Sequence, residues 1–351
     1  MEKVKLLGMK PSALKEVALE AGLPAYAGMQ LAQWLYKRRV RSIEQMTNIS
    51  KSGREKLSER YEVGVTEPSG VFESSDGTKK YLFPVTCSLS QTLGAPKESS
   101  TVEAVMIPDE DRRTLCVSSQ AGCKMGCKFC MTGRQGFHGH LSAADILSQF
   151  LAIGESDDLT NAVFMGMGEP LDNYDNVMAA IEVLTSDWGF AWSPKRITLS
   201  TIGVMPQLGR FLQESRCHLA VSLHNPLPEE RAGIMPVQKT FPLEKVLAEI
   251  RRHDFTGQRR VSFEYTMFSG LNDDKRHADA LIRLLKGIPC RVNLIRFHKI
   301  PDFPYDTAPE PVMEMFRDRL SAAGITCTIR ASRGEDIFAA CGLLAGKHDK
   351  R

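Results

Sequence analysis

Between residues 114 and 330, short apolar runs rich in β-branched and aromatic residues alternate with longer stretches whose apolar positions recur every three to four residues. The short runs fall at 114–118, 161–165, 196–200, 218–222, 261–266, 291–295 and 325–330. The longer ones, at 143–153, 177–184, 243–252, 277–286 and 310–323, carry the helical period. Strands that are apolar on both faces and separated by helices predict an α/β protein with a parallel sheet, either open and doubly wound or closed toward a barrel. In a barrel, ligand-binding residues gather at the C-terminal ends of the strands, and several runs here lead straight into polar or glycine-rich segments.

Upstream the pattern changes twice. Leu14, Val17, Ala18 and Ala21 lie on one helical face that ends at Gly22 and Pro24, a second helical run covers 29–36, and Ser50 is a candidate N-cap for a third. Residues 71–73, the turn Ser75-Asp76-Gly77 and residues 80–83 read as a β-hairpin, and 101–107 alternates as a further strand ending at Pro108. The expected division is a small helical domain at 1–62, a hairpin and linker extension at 63–108, the α/β core at 109–346 and a short tail at 347–351.

Composition narrows the class. A chain of 351 residues with 42% hydrophobic and 25% charged residues can bury a substantial core. No apolar run approaches the roughly 18 residues that a membrane span needs, and Met1 to Lys5 holds no apolar signal-type stretch. The nine cysteines therefore read as reduced thiols and metal ligands in a cytoplasmic protein, not as a disulfide framework. The net charge of +3 is uneven: residues 1–60 hold twelve Lys/Arg against six Asp/Glu, crowded at Lys37, Arg38, Arg39, Arg41, Lys51, Arg54, Lys56 and Arg60. Such a cluster is the footprint of a nucleic-acid binder, so the helical domain is expected to supply affinity for phosphates; a merely solvated helix face is the equal alternative.

The chemistry concentrates at Cys123-Lys-Met-Gly-Cys127-Lys-Phe-Cys130, a C-x3-C-x2-C spacing with an aromatic before the last cysteine. Soft thiolates select zinc or iron–sulfur centres. Structural zinc wants four ligands and no second cysteine pair follows, whereas three ligands suit a four-iron cluster with one iron left open. The run at 161–165 leads into Gly166-Met-Gly168-Glu169-Pro170, where glycines admit close backbone approach and Glu169 offers a carboxylate. The next two runs end in Ser200 and in Ser222-Leu223-His224. Cys116 precedes the cluster motif by seven residues, and Cys341 sits in a glycine-flanked loop after the last strand. Most free cysteines are buried small hydrophobes, and Glu103 read alone is an ordinary exposed edge carboxylate.

Taken together, the blocks 114–133, 165–170, 198–201, 222–224 and Arg333-Gly-Glu-Asp through Ala-Ala-Cys341-Gly resemble the RlmN/Cfr family over essentially the whole chain. That family consists of radical S-adenosylmethionine (SAM) methyltransferases acting on an adenosine of 23S ribosomal RNA. The resemblance implies a partial (β/α) barrel with a small N-terminal helical domain and a hairpin extension. It implies a [4Fe-4S] cluster on Cys123, Cys127 and Cys130, and SAM contacts at Gly168, Glu169, Ser200, Ser222, Leu223 and His224. Cys341 matches the methyl-carrying cysteine, Cys116 its disulfide-forming partner and Glu103 the proton acceptor. His298 occupies a position where many members have an asparagine that contacts SAM; an imidazole can still make one such hydrogen bond. The match is closest to members that methylate adenine C2 and that in some cases also act on tRNA. A Cfr-type enzyme methylating C8 is the near alternative, and a non-catalytic metal-containing RNA-binding protein the distant one. A monomer with an electron donor of the flavodoxin or ferredoxin class, and no membrane, completes the expectation.

Overall fold

Proline at the first helical position removes an N–H that the first turn leaves unpaired in any case. The computed structural model, which describes residues 3–88, 97–255 and 259–345, accordingly starts α1 (Pro11–Glu20) at Pro11 and turns Leu14, Val17 and Ala18 inward. The short strand β1 (Val4–Lys5) precedes it. α2 (Ala27–Ala32) runs into a π-turn at Gln33–Lys37 that buries Trp34, Leu35 and Tyr36. Ser50 caps α3 (Lys51–Arg60), its hydroxyl accepting from Gly53 N at 3.2 Å. The unit is not purely helical: β2 (Tyr61–Glu62) closes it by pairing in parallel with β1.

The hairpin forms from β3 (Gly70–Glu73) and β4 (Lys79–Ser88), with Gly77 at φ 81° in its turn. β5 (Lys97–Asp109) pairs along β4 on one side and β6 (Arg112–Cys116) on the other, both antiparallel. The expected stop at Pro108 is overturned, because β5 continues to Asp109. The β4 ladder ends opposite Met106, so beyond it one edge of β5 has no partner strand and proline is tolerated there.

After β6 come β7 (Gln120–Gly122), α4 (Met131–Arg134), β8 (Phe137–His140) and α5 (Ala143–Leu151). Regular alternation then follows: β9 (Asn161–Phe164), α6 (Tyr174–Thr185), β10 (Ile197–Thr201), α7 (Gln207–Glu214), β11 (His218–Ser222), α8 (Pro228–Ile234) and α9 (Leu243–Ile250). The chain continues through β12 (Val261–Met267), α10 (Lys275–Leu285), β13 (Cys290–Arg296), α11 (Glu310–Ala322) and β14 (Thr326–Ile329). One sheet runs in the order β14-β13-β12-β11-β10-β9-β6-β5-β4-β8-β7, with β3 against β4. From β14 to β6 every neighbour is parallel. The sheet ends at β14 without returning to β7, so it is a barrel left open on one side. β6 is the seam between the parallel arc and the antiparallel extension.

The N-terminal unit is clamped to the core by two of the arginines expected to meet RNA. Arg39 Nη1 donates to Ser156 O at 3.0 Å and pairs with Asp157 at 2.5 Å, while its guanidinium covers the Phe190 ring at 4.8 Å. Arg41 donates to Leu151 O and lies 3.5 Å from Glu67. The tail at 347–351 lies outside the described residues.

Candidate active site

The loop between β6 and β8 carries the three clustered cysteines. It turns at Gly122 and Gly126, both with positive φ, and is tied down by Cys123 N donating to Gly136 O at 2.8 Å and Cys130 N to Cys127 O at 3.2 Å. Phe129 anchors it from inside, packing on Phe268 with centroids 5.3 Å apart and meeting the His224 ring edge-on at 4.9 Å. All three cysteines line one cavity at the C-terminal ends of the strands, together with Gly168, Glu169, Ser200, Ser222, His224 and Cys341.

Burial pushes the Cys123 thiol up to about 12 and the Cys127 thiol well above its ordinary range; Cys130 is raised as well, and charge on neighbouring cysteines adds to the rise. Three thiolates crowded in an apolar wall demand a cationic centre, so the donor set fits a thiolate-bound metal. No group of three His, Cys, Asp or Glu among the described residues is drawn together tightly enough for a single ion.

Glu169 is 4% exposed. Its Oε1 accepts from Thr201 Oγ1 at 2.6 Å and Leu171 N at 3.1 Å, and its Oε2 accepts from Ile202 N at 3.0 Å. Burial raises its pKa to about 7 against the pull of those hydrogen bonds, so a cationic amine placed in this cavity would find a partner that it converts to carboxylate. Gly168 holds φ 97°, and a Cβ there would fall 2.5 Å from the Cβ of Gln120. Gln120 explains the crowding: its Oε1 accepts from Glu169 N at 2.8 Å, which fixes the turn.

His224 sits at φ 55°, and its Nδ1 accepts from Thr266 N at 3.0 Å, which leaves the proton on Nε2. Burial, then the nearby Arg231 guanidinium, lowers its pKa to about 3, so the ring is neutral. Leu223, expected as a cavity contact, is instead fully buried core, and its carbonyl is taken by Arg231 Nε at 2.9 Å. β11 ends at Ser222 and the chain turns at His224, so that Ser222 and His224 line the cavity while the Leu223 side chain packs into the core.

A second cavity shares its wall with the first and holds Cys116, Cys341 and His298. Cys116 is the last residue of β6, 8% exposed, and burial raises its thiol to about 12, with Cys341 pushing further up and Arg330 pulling down. Cys341 is exposed, and both cysteines are free thiols. His298 does not line the cluster cavity: its Nε2 is 3.2 Å from Ser332 Oγ and its Nδ1 3.3 Å from Glu335 Oε1. Glu103 is no exposed edge residue. It lies on an interior strand, 1% exposed, with Lys80 Nζ 3.6 Å from its Oε1, and lines neither cavity.

Sequence reasoning passed over three residues that build this region. Arg330 lines both cavities, its Nη1 3.6 Å from Met165 Sδ and 3.6 Å from Glu264 Oε2. Glu264, 4% exposed, accepts from Asn293 Nδ2 at 2.8 Å and Ser262 Oγ at 2.9 Å. Lys80 is the third. A charged residue inside an otherwise apolar strand is the only signal that could have marked Lys80 and Glu264.

Comparison with known proteins agrees with this layout. The radical SAM superfamily model matches residues 117–281, and that of the ribosomal RNA large subunit methyltransferase N-terminal domain matches 4–63. The dual-specificity RNA methyltransferase RlmN of Syntrophus aciditrophicus is 38% identical, over 99% of this chain and 98% of its own. The "Probable dual-specificity RNA methyltransferase RlmN" of Porphyromonas gingivalis strain ATCC 33277 is 58% identical over 98% of this chain and 94% of its own. The chain belongs to the RlmN family. A crystal structure of a radical SAM methyltransferase from Sphaerobacter thermophilus, 34% identical, superposes with a TM-score of 0.88 over 98% of this chain and 100% of that one. Membership makes this chain a radical SAM RNA methyltransferase and sets aside the reading as a non-catalytic RNA binder. Among the described residues no helix is long and apolar enough to cross a membrane.

Proposed function

We propose that this RlmN-family chain methylates C2 of an adenosine in 23S rRNA and of an adenosine in tRNA, by way of an S-methylcysteine at Cys341 and a covalent RNA–enzyme intermediate. The observation that carries the reading is the placement of Cys116 and Cys341 in one cavity that abuts the cavity of the three clustered cysteines. Adenine C2 lies between two ring nitrogens and is electron-poor, so it cannot displace the methyl group of SAM; a thiolate can.

In this scheme Cys341 Sγ attacks the methyl carbon of a first SAM and releases S-adenosylhomocysteine. Cys123, Cys127 and Cys130 would hold a [4Fe-4S] cluster, and Gly168, Glu169, Ser200, Ser222 and His224, which line the same cavity, would contact a second SAM. Bound and reduced by a flavodoxin- or ferredoxin-class donor, such a cluster would supply the one-electron chemistry that cleaves this SAM, so that one hydrogen leaves the S-methyl group on Cys341, the methylene carbon joins C2 and the adduct gives up one electron. Glu103 then accepts the C2 proton. Cys116 Sγ attacks Cys341 Sγ, forming a disulfide; the S–C electron pair passes to the methylene carbon, which takes a proton to become the methyl group. A two-electron thiol reductant restores both cysteines, as the cytosol allows.

Mass spectrometry of nucleosides from rRNA and tRNA incubated with the reconstituted enzyme tests the assignment. It should show 2-methyladenosine from both substrates. 8-Methyladenosine would move the chain to the Cfr-type reaction, and an unmodified tRNA would confine it to the ribosome.

A further inference from the structure

The carboxylate assigned as base has a buried cation behind it. Lys80 on β4 and Glu103 on β5 are each 1% exposed, with Nζ and Oε1 3.6 Å apart. Lys80 pairs across the sheet with Val105, and Val105 with Cys116. Residues two apart on a strand share a face, so Lys80, Glu103 and Cys116 project from the same side. Lys80 Nζ also donates to Phe338 O at 3.5 Å, three residues before Cys341, and lies 5.8 Å from the Phe72 ring centre.

Other polar groups surround the pair. β6 contributes Cys116, and the segment just after it Ser118, whose hydroxyl donates to Glu103 O at 2.6 Å. The C-terminal segment brings Arg330 and Cys341 beside Cys116. β7 and β8, which also pack on β5, carry Gln120, His138 and His140. Lys80 stands apart from these as a buried cation in ion-pair contact with the Glu103 carboxylate.

We infer that Lys80 is a positioning residue for the base: its ammonium keeps the buried Glu103 carboxylate ionised and aimed, and its bond to the Phe338 carbonyl ties that base to the loop bearing Cys341. The inference rests on Glu103 accepting the C2 proton. A carboxyl group removed from water favours its neutral form unless an opposite charge lies beside it, and a neutral carboxylic acid cannot take up a proton. Lys80 feels the same burial, which lowers its pKa, and Glu103 pulls that pKa back up. Once Glu103 is protonated the ammonium loses its partner, and the cost of an unpaired buried charge favours handing the proton on.

The test uses reconstituted Lys80→Met, Lys80→Arg and Glu103→Gln enzymes with RNA and SAM. Protein mass spectrometry reads methyl on Cys341, and a denaturing gel reads covalent RNA. Glu103→Gln should accumulate the RNA adduct at every pH. Lys80→Met should methylate Cys341 and form the adduct as the wild type does, yet resolve it at neutral pH at least about tenfold more slowly. Raising the pH by about one to three units should restore resolution, because the buried carboxyl, without the Lys80 charge beside it, then ionises. Lys80→Arg should resolve the adduct with the wild-type pH profile. If Glu103→Gln turns over normally, Glu103 is not the base and the inference falls with that assignment. If Glu103→Gln stalls but Lys80→Met resolves with an unshifted profile, this inference alone is overturned. Loss of Cys341 methylation in Lys80→Met to the same degree as resolution would make Lys80 a strut of the sheet and overturn it equally.

Discussion

In the proposed reaction the two thiols of one cavity take separate roles, and their surroundings differ accordingly. Cys341 is exposed and can meet both SAM and RNA, whereas Cys116 is buried at the end of β6 with its thiol raised to about 12. Cys116→Ala should therefore still acquire methyl on Cys341 and still attack RNA, then stall as a covalent adduct on a denaturing gel. Cys341→Ala and the double variant should show neither protein methylation nor adduct. Two inactive single variants that both lack adduct would end this division of labour. His224 offers a pH test. Its folded pKa of about 3 lies below the ordinary 6.5, so the unfolded chain binds the extra proton between those values and stability falls as pH drops through that window. The contribution is on the order of a few kcal/mol by pH 3. His224→Gln keeps an acceptor for Thr266 N and should flatten that part of the Tm-against-pH curve relative to wild type. An unchanged slope would place the titration elsewhere.

At the scale of elements, the basic N-terminal segment divides into two sets with different work. Arg39 and Arg41 are spent on docking to Ser156, Asp157, Leu151 and Glu67. Lys37, Arg38, Lys51 and Lys56 are exposed. Neutralising those four to glutamine should weaken RNA binding and reduce the salt slope of log K by up to about three, since each phosphate contact contributes about 0.7 to 0.9. Arg39→Ala with Arg41→Ala should instead loosen the unit, read as faster proteolysis between residues 60 and 70 in the absence of RNA. Unchanged RNA affinity in the first variant would locate the binding surface on another face.

For the whole molecule, β6 is the strand on which the parallel arc and the antiparallel extension both depend. Leu115, its fourth residue, is fully buried and pairs with Met106 on one side and Ala162 on the other. Leu115→Ala should cost about 2–5 kcal/mol. Far-ultraviolet circular dichroism and tryptophan fluorescence should shift together in denaturant. A variant whose two probes separate would show that the extension and the arc fold as independent bodies.

What could be read directly from the chain was local. The helical period of Leu14, Val17 and Ala18, the Ser50 cap, the Ser75-Asp76-Gly77 turn and the apolar strand runs are set by neighbours within a few residues, where backbone sterics and periodicity act. The three-cysteine spacing belongs with them, because its ligands are close in sequence. Cys116 and Cys341 stood out by their setting, and the likeness to a known family then gave them roles, together with Glu103, which residue chemistry alone had left as an edge carboxylate. Strands β1 and β2 went unseen because two residues carry no period. Contacts across large separations were decided by register and closure: Lys80 meets Glu103 because an antiparallel ladder sets them on one face, and Arg330 reaches both cavities because β14 pairs with β13. The turn after β11 put the Leu223 side chain in the core, and the strand ends tied His298 to Ser332 and Glu335. Side-chain direction in a sheet depends on which residue lies opposite, and that partner is chosen only when the whole sheet assembles.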